Sequence, residues 1–180
     1  MLPIKNTLGR YGLVTMFLHW LMALIIIGLL IVGLYMVDLP FGMKRLRFYG
    51  WHKEFGILIL MLVCIRLAWR MGNMTPPMPV EMPRWQHVAA VAVHYAFYFL
   101  MVALPITGWM ISSASGLSVS FFGLFVLPDF ITPNEHWRIL LSQIHKWLAY
   151  GLIAAICGHM GAALLHHFYY KDDILRRMLP

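Results

Sequence analysis

The chain has 180 residues, of which 61% are hydrophobic and only 12% are charged, and its formal net charge is +7. A soluble domain carries about 25% charged residues, so this composition excludes an ordinary soluble protein and indicates a membrane protein. The basic residues flank apolar stretches and do not form one soluble patch. This distribution argues against a nucleic-acid partner and favours anionic lipid headgroups.

Four apolar stretches are long enough to cross the hydrocarbon core of a bilayer, which takes about 20 helical residues. They predict helices over about residues 13–37, 50–71, 86–112 and 137–167. The first stretch is too long for the apolar part of a signal peptide and is expected to be retained. The connections leave no room for a soluble domain. We therefore expect residues 1–180 to form one all-α domain, a four-transmembrane-helix bundle.

Three interruptions refine this outline. The connector "GNMTPPMPVEMPR" after the second helix holds four prolines, so it is expected to form an ordered loop and not a helix. Pro105 and Gly108 are expected to bend the outer half of the third helix. The segment "SVSFFGLFVLPDFITPNE" is apolar but broken by prolines, which predicts a cap lying against the outer membrane interface.

The Lys and Arg count sets the expected orientation, because cytoplasmic loops carry the excess of these residues. With both termini inside, the cytoplasmic set is Lys5, Arg10, Arg66, Arg70, Arg84, Lys171, Arg176 and Arg177. The outer set is then Lys44, Arg45, Arg47, Lys53, Arg138 and Lys146. Eight against six favours cytoplasmic N- and C-termini.

Histidines within the spans are the main functional signal, since ionisable residues are costly in a membrane. His19 and His159 are expected at one level near the inner side, and His52 and His145 at a second level near the outer side. His145 and His159 are fourteen residues apart, about 21 Å along one face of the fourth helix. His94 is expected level with the inner pair. Depth alone leaves open which two of those three histidines act together.

Two facing imidazoles at each level, without carboxylates or thiolates at the same depth, favour haem, which accepts one axial nitrogen on each face. Zinc would require a third or fourth ligand converging on one point. Neither Cys64 nor Cys157 belongs to a CxxCH motif, which excludes covalent c-type attachment. Several helix glycines are expected to allow a ring or a helix to approach closely: Gly28, Gly33, Gly56, Gly151, Gly158 and Gly161. Interhelical hydrogen bonding is the alternative for the histidines near the interfaces, which are His87, His136, His166 and His167.

Five motifs together resemble the bacterial cytochrome b561 family over nearly the whole chain. They are "FLHW", "WHKEFG", "FLMVALPITGW", "QIHKWLAYG" and "GHMGAALLHHFYYKDDILRRM". The resemblance implies a four-helix inner-membrane protein enclosing two haems b. It also implies His19 with His159 as ligands of the inner haem and His52 with His145 as ligands of the outer haem. Similar cytochromes serve as membrane subunits of hydrogenase and formate dehydrogenase complexes.

Electron transfer across the membrane needs an acceptor, and quinone is the lipid-soluble carrier that a protein of this kind can reach. The residues expected to line a quinone site at the inner interface are His166, His167, Tyr169 and Lys171. Interfacial anchoring is the alternative role for each of these residues. The residues expected to bind the inner haem propionates are Arg10, Arg66 and Arg70, although Arg66 can equally extend to lipid headgroups.

The basic residues at the outer mouth are expected to steer a small anion towards the outer haem: Lys44, Arg45, Arg47 and Lys53. Lipid binding and pairing with propionates are the alternative. Because bacterial cytochromes b561 have been linked to superoxide oxidation with ubiquinone reduction, the resemblance implies superoxide:ubiquinone oxidoreductase activity. Two alternatives remain at this point. One is a cytochrome subunit that docks a soluble dehydrogenase or hydrogenase. The other is a haem-free transporter whose histidines relay protons.

Overall fold

The computed structural model describes residues 3–78 and 82–179. Four long helices account for most of the chain: α1 (Leu13–Val37), α2 (Met43–Met71), α3 (Arg84–Ala114) and α4 (Glu135–Leu165). The predicted set of four helices is therefore present. The second helix begins seven residues before its predicted start at residue 50, because the basic segment before the apolar stretch is helical as well.

Local sequence explains where the helices begin and end. Asn134 caps α4, and its side chain accepts a hydrogen bond of 3.1 Å from the backbone N–H of Trp137. Gly72 follows the last residue of α2, in agreement with the preference for glycine after helix ends. Pro105 lies inside α3 without ending it.

The helices pack in chain order, with α1 against α2, α2 against α3 and α3 against α4. One buried cluster joins the first three helices through Met22, Ile59, Val63 and Met101. A second cluster seats the predicted cap on α2, where Ile57 packs against Val119, Phe121 and Leu127. The apolar side chains of the cap are therefore held by the end of the bundle.

The cap contains a short antiparallel hairpin of β1 (Ser120–Phe121) and β2 (Phe125–Val126). Phe122 and Gly123, with φ angles of 49° and 73°, form its turn. We call the end of the bundle that carries this hairpin the cap end. Trp109 of α3 ties the cap down by donating a hydrogen bond of 3.0 Å from Nε1 to the carbonyl oxygen of Pro128.

The opposite end of the bundle, which we call the termini end, holds both ends of the chain. The backbone N–H of Tyr11 donates to the carbonyl oxygen of Arg177 at 3.2 Å, and Trp20 Nε1 donates to that of Met178 at 2.9 Å. The described part of the α2–α3 connector also lies here, since Asn6 Nδ2 donates to the carbonyl oxygen of Met74. Residues 79–81 of the predicted loop lie outside the described residues.

Three of the long helices are long and apolar enough to cross a membrane, within the part of the chain that the structure describes: α1, α3 and α4 with its extension to Tyr170. The chain is accordingly a helical membrane protein. In α2 the stretch free of charge runs only from Phe55 to Ile65, between Glu54 and Arg66. The short length of this uncharged segment thus distinguishes α2 from the other three helices.

Candidate functional site

The first histidine pair lies at the cap end, where His52 of α2 faces His145 of α4. The centroids of the two imidazole rings are 6.2 Å apart, and the ring planes meet at 70°. Both residues are half-buried between helices. The structure therefore brings together the two histidines expected at the outer level.

The second group lies at the termini end and contains three imidazoles. His19 of α1 faces His159 of α4 with ring centroids 6.2 Å apart and planes at 64°. His94 of α3 also approaches His159, with centroids 5.9 Å apart. Phe97 packs its ring edge against His159 at a centroid distance of 5.3 Å. His19 and His94 thus both lie beside His159, at the level where the sequence predicted all three.

A threonine determines which nitrogen of His145 carries the proton. Thr107 Oγ1 lies 3.0 Å from His145 Nδ1 and donates its own proton to a carbonyl oxygen of α3, that of Ala103 at 2.8 Å or Leu104 at 2.9 Å. Its oxygen is left to accept a hydrogen bond from Nδ1–H. The other nitrogen, Nε2, then keeps a free lone pair. A neutral imidazole with its Nδ1–H bound in this way is the usual state of a metal-ligating histidine.

His19 and His52 have different neighbours at Nδ1. Arg66 Nη2 lies 3.2 Å from His19 Nδ1, and a guanidinium group can only donate, so Nδ1 is an acceptor in this contact. Among the described residues, His52 Nδ1 is buried without a hydrogen-bond partner. The Thr107 hydroxyl thus gives His145 an acceptor at Nδ1 that is consistent with a ligating tautomer.

Two glycines make room for the cap-end pair. A Cβ atom added to Gly33 of α1 would lie 3.1 Å from His52 Cε1, and one added to Gly108 of α3 would lie 3.3 Å from His145 Cε1. Each imidazole of the pair thus rests against the backbone of a neighbouring helix. The remaining glycines expected to allow close approach have no described atom within 4 Å of an added Cβ: Gly28, Gly56, Gly151, Gly158 and Gly161.

The spacing of both pairs fits a metal bound between two imidazoles. Two metal–nitrogen bonds of about 2 Å on opposite sides of one ion, together with the depth of each ring, place the ring centres about 6 Å apart. Within the described residues, no three His, Cys, Asp or Glu side chains converge as they would for a compact metal site. An iron porphyrin needs only the two axial nitrogens, with apolar walls around its ring. The residues present therefore fit haem.

The basic residues expected at the outer mouth all lie towards the cap end of α2, and several are held by hydrogen bonds. Lys44 Nζ donates to the hydroxyl oxygen of Tyr35 at 2.8 Å. Arg45 donates to the carbonyl oxygen of Leu39 at 3.2 Å. Lys53 Nζ donates to Ser112 Oγ at 3.2 Å. Arg47 is exposed. These four residues thus make the first turns of α2 basic, although Glu54 and Asp129 lie near Lys53.

Arginines gather at the termini end. Arg10 Nη2 donates to the carbonyl oxygen of Leu179 at 2.9 Å. The Arg70 guanidinium lies 5.8 Å from the ring centroid of Tyr98, beside a cavity of about 280 Å³ that His94 also lines. Burial raises the pKa of Tyr11 above its usual value, although Arg70, Arg177 and Arg66 oppose this shift. The predicted propionate partners thus lie near one another on the side of the His19 group.

Three of the residues expected to line a quinone site, His166, His167 and Tyr169, lie in a π-helical turn (His166–Tyr170) that continues α4, and Lys171 follows the turn. His166 Nδ1 is 2.5 Å from Asp172 Oδ2. His167 is partly buried, whereas Tyr169 and Lys171 are exposed. These four residues are therefore close together in the chain, but only the two histidines are partly buried.

Sequence reasoning missed two contacts of this turn, the Asp172 carboxylate on His166 and the hydrogen bond of 3.1 Å from Gln86 Nε2 to the Tyr170 hydroxyl. Helical spacing could not reveal Asp172, because the chain leaves the α-helix between His166 and that residue.

The fold and the paired imidazoles define a class, the helical membrane proteins whose facing histidines suit haem. Comparison with known proteins gives the family. The family model described as prokaryotic cytochrome b561 matches residues 10–180. The chain belongs to this family of membrane-embedded haem b proteins that transfer electrons, and the family predicted from the motifs is confirmed.

Three relatives illustrate the similarity. "Cytochrome b561 homolog 2" of Escherichia coli (strain K12) is 37% identical over 99% of this chain and 95% of the relative. "Cytochrome b561 homolog 1" of the same strain is 34% identical over 96% of this chain and 98% of the relative. "Probable superoxide oxidase CybB" of Yersinia pestis is 32% identical over 95% of this chain and 96% of the relative.

Proposed function

We propose that the chain crosses the membrane with all four long helices and binds two haems b, between which electrons pass from one side of the membrane to the other. The observation that carries the proposal is the equal spacing of the two imidazole pairs, with ring centroids 6.2 Å apart in each. His52 and His145 would hold one haem, and His19 and His159 the other. Haem, when bound, supplies a one-electron carrier at each level.

The chain's own residues hold these groups in place. Thr107 orients the imidazole of His145, while Gly33 and Gly108 leave space for the two rings at the cap end. Arg10, Arg66 and Arg70 are proposed to bind propionates at the termini end, because guanidinium groups form strong hydrogen bonds with carboxylates. Arg66 lies beside His19, so its guanidinium is close enough to bind a propionate at this level.

The electron donor is proposed to be superoxide, which reaches the cap end. Lys44, Arg45 and Arg47 make this end attractive to a small anion, and charge of this kind raises association rates by about 10- to 1,000-fold. The relative named as a probable superoxide oxidase supports this choice. The acceptor is proposed to be ubiquinone at the termini end. Two superoxide ions then yield two molecules of dioxygen, and one quinone takes up two electrons and two protons to give quinol.

The proposed location is the inner membrane of a bacterium, with both chain termini in the cytoplasm. In this orientation the cap end faces outward and receives superoxide, while quinol forms on the cytoplasmic side. Membrane lipids surround the helices, and no soluble protein partner is required.

The decisive experiment measures haem and electron transfer in the purified protein. We expect a reduced-minus-oxidised spectrum with sharp b-type bands and two haems per chain. Superoxide generated enzymatically should reduce both haems, and added ubiquinone should reoxidise them. Bovine serum albumin in place of the cytochrome controls for direct reaction of superoxide with quinone. One haem per chain would contradict the pairing, and stoichiometric co-purification with a dehydrogenase or hydrogenase would favour a subunit function instead.

A further inference from the structure

The inner end of α4 carries a third histidine on the same face as the two proposed ligands. His166 follows His159 by seven residues, which corresponds to about 10 Å of helix and a rotation of only about 20°. Its backbone is still helical, with φ −61° and ψ −43°. The imidazole of His166 therefore lies beyond His159 on one continuous face, towards the termini end.

A carboxylate holds this imidazole. Asp172 Oδ2 lies 2.5 Å from His166 Nδ1, and the two side chains are only 22% and 13% exposed. The second oxygen of Asp172 accepts a hydrogen bond of 3.1 Å from the backbone N–H of Ile174. The backbone N–H of Asp172 in turn donates to the carbonyl oxygen of His166. Two hydrogen bonds of the carboxylate and one between the backbones thus hold Asp172 against the ring.

A π-helical turn and a left-handed residue separate His166 from Asp172 in the chain. Five residues form a π-helical turn, and Lys171 then adopts φ 55° in the left-handed region. This conformation is unfavourable for a lysine. It reverses the chain so that Asp172 lies beside His166, six positions earlier. Single π-helical turns occur frequently at functional sites.

We propose that His166 and Asp172 form the proton-donating pair for quinone reduction. This inference rests on the proposed function. With Asp172 accepting from Nδ1–H, Nε2 is the nitrogen from which the doubly protonated ring of His166 donates. The Nε2–H bond breaks as a new O–H bond forms on a quinone carbonyl oxygen. Water on the termini side then returns a proton to Nε2.

The pair donates one proton for each electron that the quinone receives, so two electrons and two protons convert quinone to quinol. Haem held at the His19–His159 level would supply the electrons, and the imidazole of His166 returns to its starting state after each step. Asp172 keeps its charge throughout and acts as a positioning residue. Among the described residues, further ionisable groups near the pair include Tyr170, whose ring centroid is 5.1 Å from that of His166. The sequence neighbours His167, Lys171 and Asp173 are ionisable as well, and Asp173 is paired with Arg177 at 2.9 Å.

The neighbouring carboxylate supplies a matched control. Asp173→Asn removes the same charge one residue away from the pair, whereas Asp172→Asn removes the acceptor of His166. We expect both variants to retain two haems and to be reduced by superoxide at the wild-type rate. Reoxidation of the prereduced cytochrome by ubiquinone should slow about tenfold or more in Asp172→Asn alone. The loss should appear in kcat with little change in KM, and the solvent deuterium isotope effect on this step should rise.

Further variants separate proton donation from a structural role. Asp172→Glu restores a carboxylate and should recover most of the rate. If Asp172→Asn does not retain haem, His166→Asn tests the same step and should show the same loss. Equal rates in Asp172→Asn and Asp173→Asn, or an unchanged isotope effect, would overturn the role of His166 and Asp172 and leave the proposed function intact. A wild-type protein that ubiquinone does not reoxidise would overturn the proposed function together with the role of the pair.

Discussion

Thr107 of α3 and His145 of α4 are joined by a hydrogen bond of 3.0 Å in which the hydroxyl oxygen accepts from the imidazole Nδ1–H. We predict that Thr107→Val, which keeps the shape of the side chain, weakens haem binding at the cap end about 10- to 100-fold, as is typical when the partner of a metal-ligating histidine is lost. Haem titration of the apoprotein measures this change. Thr132→Val, in the cap, is the control, and equal haem affinity in both variants would show that the hydrogen bond does not orient a ligand.

The contact of Gly33 with His52 leads to a second prediction. The methyl group of Gly33→Ala would lie 3.1 Å from His52 Cε1, so the ring must move by a few tenths of an ångström. We expect this variant to hold the cap-end haem less tightly and to change its ferric EPR signal. Gly161→Ala adds a methyl group in open space, on the opposite side of α4 from His159. It should leave both haem signals unchanged. A Gly33→Ala protein with a wild-type spectrum would contradict a close fit around His52.

The three imidazoles at the termini end allow a direct test of the ligands. We predict that His52→Ala and His145→Ala each lose one haem and retain the other, because the two levels lie about 21 Å apart along α4. His19→Ala should also lose one haem, whereas His94→Ala should retain both. Haem-to-protein ratios and reduced spectra measure these outcomes. Two haems in His19→Ala together with one in His94→Ala would show that His94 is the partner of His159.

Charge at the cap end should control the rate of reduction by superoxide. Replacing Lys44, Arg45 and Arg47 by glutamine is expected to slow that reaction about tenfold at low salt and to flatten its dependence on ionic strength, because salt screens the attraction of exposed charges. Stopped-flow mixing at several salt concentrations measures both effects. Replacing Lys5, Arg84 and Arg176 at the termini end removes the same net charge and serves as the control. Parallel behaviour of the two triple variants would leave lipid binding as the role of the cap-end residues.

Regular geometry explains which parts of this site were predictable. A helix advances by a fixed rise, so the positions of His19, His52, His145 and His159 within apolar stretches predict two levels from the sequence alone. The structure brings the same residues together in pairs. The four helices were predictable for the same reason, since long apolar stretches between charged ends have few other conformations in a membrane.

Contacts made by irregular backbone were not predictable in this way. The Asp172–His166 hydrogen bond depends on a π-helical turn and on a left-handed Lys171, and neither has a sequence signature as strong as that of glycine. The Thr107–His145 hydrogen bond depends on the rotation of α3 relative to α4, which apolar periodicity does not determine when a helix is apolar on most sides. The hairpin in the cap is too short to leave a pattern of alternating residues.

Helix α4 contributes one imidazole to each level and a third near the termini end, so this single helix sets the spacing between the two imidazole pairs. Adding one residue between His145 and His159 would turn the lower imidazole by about 100° and carry it out of reach of His19. The length of this segment is thus constrained far more tightly than its composition. A substitution at Leu148 or Ala155 keeps the spacing of the two histidines. An insertion or deletion between them would misalign one imidazole pair relative to the other.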